Sequence, residues 1–160
     1  RKAAVGPGAL SQKVPEIRGD YIYWLDRNTD SEISSFFDIS DDIIYAFNRY
    51  CFLSLKASEF HLAEYPKASF YKKHIDQFDG RNNRIITFLL YLNSNWQSGD
   101  GGELRIHHPD AFTDISPLNN RCILFKSDKI LHEVLPTNKI RRSLTGWLLH
   151  QPSILGLITG

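Results

Sequence analysis

Methionine is absent from the 160 residues, and residue 1 is an arginine, so the native start is not expected to lie within this sequence. Cysteine is scarce: Cys51 and Cys122 stand 71 positions apart, with no short metal-type spacing between them. That excludes a disulfide scaffold or a zinc-ribbon pattern, and two reduced, buried thiols are expected, as in a cytoplasmic protein. Charge of one sign is also missing. Nineteen basic residues against eighteen acidic ones leave a formal net charge of +1. A large nucleic-acid footprint needs a basic excess, so nucleic acid is not an expected partner, although Lys67, Lys72 and Lys73 form a local basic group. No apolar run approaches the ~20 residues of a membrane span, and nothing reads as a secretory leader.

What is present is an ordinary globular composition, 42% hydrophobic and 23% charged, enough for one domain with a core across residues 1–160. Gly6, Pro7, Gly8, Pro15 and Gly19 mark residues 1–19 as a loop or mobile lead segment. Residues 20–26 (DYIYWLD) read as a strand. Residues 31–50 read as helical. Ile33, Phe36 and Phe37 recur at helical spacing, and Ser40 is placed to cap a second stretch carrying Ile43, Ile44 and Phe47. From residue 52 short apolar runs alternate with turn signals at Pro66, 79–80, 99–102, Pro109, 119–120 and Pro136. This rhythm predicts a mainly β fold with buttressing helices, a sandwich or barrel of the jelly-roll kind.

His74-Ile75-Asp76 carries the first chemical signal. On a strand, residues i and i+2 share a face, so both side chains reach one ion without a turn. His132, in LHEV (131–134), supplies a third ligand from a later strand. Two histidines and one carboxylate leave open coordination positions, the pattern of oxygen-activating iron(II) sites. An isolated H-x-D is more often structural, and His61, His107, His108 and His150 compete for the role. His107 and His108, next to Pro109, read as loop residues. The ordered set carries the specificity. Arg141 follows nine residues after His132, and strand parity puts Arg141, Ser143, Thr145 and Trp147 on one face, with Arg142, Leu144 and Leu148 on the other. A planar guanidinium fork suits a carboxylate ligand. Arg142 reads as a surface ion pair. Tyr91, on a candidate core strand, is placed to donate to the same carboxylate or to be an ordinary core tyrosine.

Taken together, IRGD (17–20), YPK (65–67), FYKKHID (70–76), YLNSNW (91–96), GGELRI (101–106), LHEVLP (131–136) and RRSLTGW (141–147) resemble the prolyl hydroxylase branch of the iron(II)- and 2-oxoglutarate-dependent dioxygenases. The resemblance runs from about residue 17 to 149. It implies a double-stranded β-helix, Fe(II) held by His74, Asp76 and His132, and 2-oxoglutarate held at its distal carboxylate by Arg141 and Tyr91. It implies that Tyr65, Thr145 and Tyr71 line the pocket, that Trp147 is an aromatic near the metal, and that Arg18 and Asp20 end a loop closing over a peptide. It further implies O2 as co-substrate, ascorbate as an auxiliary reductant and a proline-containing protein substrate. The apolar tail 154–158 does not match the longer C-terminal helix of the animal enzymes. Rival readings are the same chemistry on a lysyl residue, a free amino acid or a small molecule, and, in another class, a cupin-like binding protein or zinc hydrolase. Nucleic-acid demethylation fits less well, since Trp147 stands where those enzymes commonly carry an arginine.

Overall fold

In the computed structural model, residues 18–77 and 82–150 are described. Most of the expected lead segment, the expected turn at 79–80 and the apolar tail lie outside them. Nine strands and one α-helix follow in the order β1 (Tyr21–Trp24), α1 (Ser34–Cys51), β2 (Ala57–Tyr65), β3 (Tyr71–His74), β4 (Arg84–Tyr91), β5 (Leu104–His107), β6 (Phe112–Ile115), β7 (Cys122–Lys126), β8 (His132–Val134) and β9 (Arg141–Leu149). They form two antiparallel sheets, ordered β1-β2-β9-β4-β7 and β3-β8-β5-β6. Two facing sheets with interleaved strand order are the jelly-roll arrangement. No described helix is long and apolar enough to cross a membrane.

The two faces of the larger sheet do different work. One is covered by α1. Phe60, Ile86, Phe88, Leu144 and Leu148 from the sheet pack with Phe36, Phe37, Ile43, Ile44 and Phe47 of the helix. At its centre Gly146 lies opposite both Phe60 and Phe88, whose rings meet edge-on at 5.6 Å. A Cβ at 146 would collide with the Glu59 carbonyl and the Phe60 ring. The other face looks across to the smaller sheet, and Leu89, Tyr91 and Leu104 form its apolar seam with Ile106, Ile115, Ile123 and Phe125.

Three expectations need correction. The helical region is one α-helix preceded by a 3-10 turn, Ser31–Ile33. Ser40 is buried inside that helix with its hydroxyl toward Ser58 at 3.3 Å, and it caps nothing. No Pro or Gly interrupts residues 34–47, so the apolar stripe continues unbroken. Both cysteines are free but exposed, not buried. Cys51 closes the helix, and Cys122 opens β7, an edge strand whose alternate residues face outward. Finally, His107 ends β5 and pairs with Glu133 at 2.8 Å, while His108 follows the strand.

Candidate active site

The three expected metal ligands come together. His74, Asp76 and His132 present one ligand atom each, all within 4.8 Å of one another, the one such group among the described residues. Their placement differs from the expected pattern in one respect. His74 is the last residue of β3, and Asp76 lies beyond the strand, so the two do not share a regular strand face. A register irregularity between Tyr71 and His74 shifts the pairing with β8, which resumes at His74 opposite His132. It also stacks the Tyr71 and His74 rings at 3.7 Å, although they are three residues apart.

Each histidine is held by its own chain. His74 Nδ1 donates to the Lys72 carbonyl at 2.7 Å, and His132 Nδ1 donates to the Ile130 carbonyl at 2.9 Å. A carbonyl only accepts, so both Nδ1 atoms carry a proton, and the neutral form of each ring presents its lone pair at Nε2. His74 Nε2 lies 3.5 Å from Asp76 Oδ1, and His132 Nε2 lies 3.7 Å from Asp76 Oδ2. Three electron-pair donors thus converge. A proton between them serves one pair, whereas a divalent metal meets all three at once. Burial works against the Asp76 charge, but His74, His132 and Thr87 overcome it and hold the carboxyl well below the usual carboxylate range. Burial also lowers the His132 imidazole, with Asp76 opposing, and this keeps it a neutral ligand.

Arg141 and Tyr91 give the second half of the site. Arg141 is 1% exposed and Tyr91 0%. The guanidinium lies 4.9 Å from the Tyr65 ring centre and 5.0 Å from that of Tyr91, and its Nε donates to the Gly102 carbonyl at 2.8 Å. Arg141 Nη2 and the Tyr91 hydroxyl have no hydrogen-bond partner among the described residues. A buried cation without a carboxylate, beside an idle phenol, is costly unless an anionic ligand completes it. A carboxylate of a dicarboxylic acid fits that pair of donors. Arg142, on the opposite face, pairs with Glu64 at the surface, as expected.

The other expected residues have these surroundings. Thr145 shares its face with Ser143, the two hydroxyls being 3.1 Å apart. Tyr65, opposite Arg141 in the ladder, is buried, and burial raises its phenol well above the ordinary range. Trp147 is buried with the Arg84 guanidinium 3.3 Å above its ring, and Glu59 holds that guanidinium at 2.8 Å. Arg18 and Asp20 form an ion pair with Nε to Oδ1 at 2.7 Å, and Arg18 lies 4.4 Å from the Tyr71 ring centre. His61, weighed as a ligand, belongs elsewhere: it sits between Trp24 and Trp147, and burial pushes it down to about 3.

Residues that the sequence did not single out also touch the site. Thr87 donates to Asp76 Oδ2 at 2.7 Å and lies 2.9 Å from Ser127. Their signal in the sequence is nil: a threonine in the run RIITFLLY is an ordinary strand former.

A family model described as the 2OG-Fe(II) oxygenase superfamily matches residues 60–149. Among curated proteins, the hypoxia-inducible factor prolyl hydroxylase of Caenorhabditis elegans is 33% identical over 147 residues, covering 85% of this chain and 20% of that protein. The prolyl hydroxylase EGLN3 of Homo sapiens is 33% identical over 156 residues, covering 89% of this chain and 62% of that protein. The chain therefore spans less than two thirds of either. Among solved structures, a prolyl-4-hydroxylase of Pseudomonas putida superposes with a TM-score of 0.81 at 37% identity, covering 86% of this chain and 75% of that one. A prolyl hydroxylase of Trichoplax adhaerens, solved with a hypoxia-inducible factor peptide, also gives 0.81, at 30% identity, covering 92% of this chain and 70% of that one. By the family match and these relatives, the chain belongs to the 2OG-Fe(II) oxygenase superfamily, within its prolyl hydroxylase branch.

Proposed function

We propose that this protein is an Fe(II)- and 2-oxoglutarate-dependent dioxygenase that hydroxylates a prolyl residue of a peptide or protein, releasing succinate and CO2. The observation that carries the reading is the buried, carboxylate-free Arg141 beside the idle Tyr91 hydroxyl, in the same molecule as the His74–Asp76–His132 cluster. In this reading those three residues hold the iron, and Arg141 and Tyr91 take the distal carboxylate of 2-oxoglutarate. Bound iron and 2-oxoglutarate supply the oxygen chemistry, in which one atom of O2 enters succinate and the other the product.

The chain's own part is geometry and dryness. The carbonyl bonds to both Nδ1 atoms orient the rings and select the tautomer in which a neutral imidazole presents Nε2 to the ion. The depressed Asp76 keeps the third ligand charged. Arg141 offers two-pronged recognition that orients the co-substrate, and the Tyr65, Thr145 and Trp147 side chains line the remaining wall. Arg18 and Asp20, tied to each other and packed on Tyr71, stand where the lead segment enters, on the side we assign to the peptide. In this reading residues 1–160 are one catalytic domain, with 1–19 as its substrate-side loop and 150–160 as a tail. Ascorbate is its auxiliary reductant. A cytoplasmic setting belongs to it as well, since two free thiols suit a reducing compartment.

The test is anaerobic addition of Fe(II) and 2-oxoglutarate, followed by oxygen and a panel of proline-containing peptides. A visible charge-transfer band, succinate formation and one added oxygen on proline are expected. Arg141→Lys, which keeps charge but loses the fork, should weaken 2-oxoglutarate binding and leave metal affinity intact. Absence of both the band and succinate would sink the oxygenase reading. Oxygen added to another residue type would remove the prolyl substrate alone.

A further inference from the structure

Asp76 is the one ligand candidate that no strand holds. His74 and His132 are strand residues of the smaller sheet, fixed by carbonyls two positions before them. Asp76 stands past the end of β3, where a free carboxylate would rotate about two side-chain bonds. Its restraint comes from the opposite sheet. Thr87 in β4 donates from Oγ1 to Asp76 Oδ2 at 2.7 Å, and Ser127, just after β7, lies 2.9 Å from the same Thr87 oxygen. A carboxylate only accepts, and a threonine hydroxyl has one proton. Thr87 gives that proton to Asp76, so Ser127 must be the donor to Thr87. The relay therefore runs in one direction, Ser127 to Thr87 to Asp76.

Both hydroxyl residues are 0% exposed, so water does not compete for these bonds. Ser127 is itself anchored twice through its backbone. Its N–H donates to the Ile85 carbonyl, and its carbonyl accepts from the Gln77 N–H, each at 3.1 Å. It thus grips the residue after Asp76 by the main chain and the Asp76 carboxylate through Thr87. Arg84 Nη1 adds a long contact of 3.4 Å to the Asp76 carbonyl.

We infer that Thr87 and Ser127 are positioning residues for the metal. They engage Oδ2 so that the Asp76 carboxylate meets the ion through one oxygen and leaves the coordination position a two-oxygen carboxylate would fill. This inference rests on the iron-site reading above. It explains why a carboxylate beyond a strand end can act with two strand-borne histidines: the larger sheet reaches across and holds it. Second-layer hydrogen bonds to metal ligands commonly matter at this level.

The experiment uses metal-free whole protein titrated with Co(II), whose visible spectrum reports ligand number and geometry. It compares the parent, Thr87→Val, Thr87→Ser, Ser127→Ala and His132→Ala, and each metal-free form is also melted. Valine keeps the shape of threonine and removes the hydroxyl, so Thr87→Val should bind Co(II) about 10–100-fold more weakly, with an altered spectrum. Thr87→Ser, which restores a hydroxyl, should recover the parent spectrum and most of the affinity. Ser127→Ala should fall between them. The inference is overturned if Thr87→Val keeps the parent's affinity and spectrum, or if Thr87→Ser is as impaired as Thr87→Val. Should Thr87→Val not fold, Ser127→Ala decides: a shifted spectrum supports the relay and an unchanged one overturns it. If the parent binds Co(II) tightly, His132→Ala does not, and Thr87→Val matches the parent, the relay alone fails. If the parent and His132→Ala bind alike, the metal reading fails and the relay with it.

Discussion

The two sheets of this protein are built to different standards. The larger one has strands of up to nine residues, paired along their length, and one face sealed under α1. The smaller one has strands of three or four residues and an irregular register in β3, its edge strand. Yet the smaller sheet bears both histidines, and the larger sheet bears Arg141, Tyr91 and the hydroxyl that holds Asp76. Cooperative packing is concentrated where long strands and a helix bury apolar surface. Ligand geometry is set where the backbone departs from regularity, and there it depends on bonds reaching over from the stable side.

That contrast can be broken by mutation. The largest effect should come from the smaller sheet. His132→Ala should weaken metal binding by more than about 100-fold, beyond what loss of an outer-layer partner causes, while the metal-free protein melts close to the parent. Titration calorimetry and a melt of the metal-free form check both halves. A large loss of metal-free stability would mean that the smaller sheet is part of the stabilising core after all.

Gly146→Ala should do the reverse. The new methyl meets the Glu59 carbonyl and the Phe60 ring between two paired strands, and overpacking of this kind costs about 1–3 kcal/mol or more. Denaturant unfolding should show that loss, with metal affinity per folded molecule unchanged. A neutral Gly146→Ala would show that β2 and β9 have room to separate.

A third outcome sharpens the division within the larger sheet. His61 on its inner face is pushed from 6.5 down to about 3 by burial, with the Arg18 charge adding to it. The unfolded chain then binds a proton that the folded chain refuses, so His61 leaves stability intact above pH 6.5 and erodes it as pH falls toward 3. The slope is at most about 1.4 kcal/mol per pH unit. His61→Leu should flatten the stability curve in that window, as read by denaturation at several pH values. An unchanged slope would assign the acid sensitivity to other groups.

The smallest effect is also the one with opposite signs. The Tyr91 hydroxyl is buried and idle. Tyr91→Phe removes an unsatisfied polar group, so the ligand-free protein should gain up to about 1 kcal/mol. In the proposed function the same change removes a donor to the co-substrate, and 2-oxoglutarate binding should weaken about fivefold to tenfold. Loss of stability together with unchanged binding would mean that the hydroxyl serves the fold rather than the ligand.

Much of this site is legible from spacing. Period-two alternation separates Arg141 from Arg142, because one residue of offset reverses the face, and the structure buries the first and pairs the second at the surface. The choice of His74, Asp76 and His132 over the other histidines follows from their order with Arg141. Spacing misleads where local pattern does not decide the outcome. H-x-D suggests two ligands on one strand face, but β3 ends at His74, its last residue paired with β8, and Asp76 lies beyond it. The cysteines read as buried because thiols usually are, yet an edge strand and a helix end expose both.

By itself, the sequence determined the alternating faces, the mainly β class and the candidate residues for a metal and an acid, since each depends on side-chain chemistry and on periods of a few residues. Tertiary structure alone decided what restrains them. Thr87 lies 11 residues from Asp76 in the chain and 40 from Ser127; pairing of β4 with β7 brings Thr87 to Ser127, and only the stacking of the smaller sheet on the larger brings Asp76 to them. A hydrogen bond needs its atoms within about 3 Å, and no local pattern encodes an approach made across two sheets.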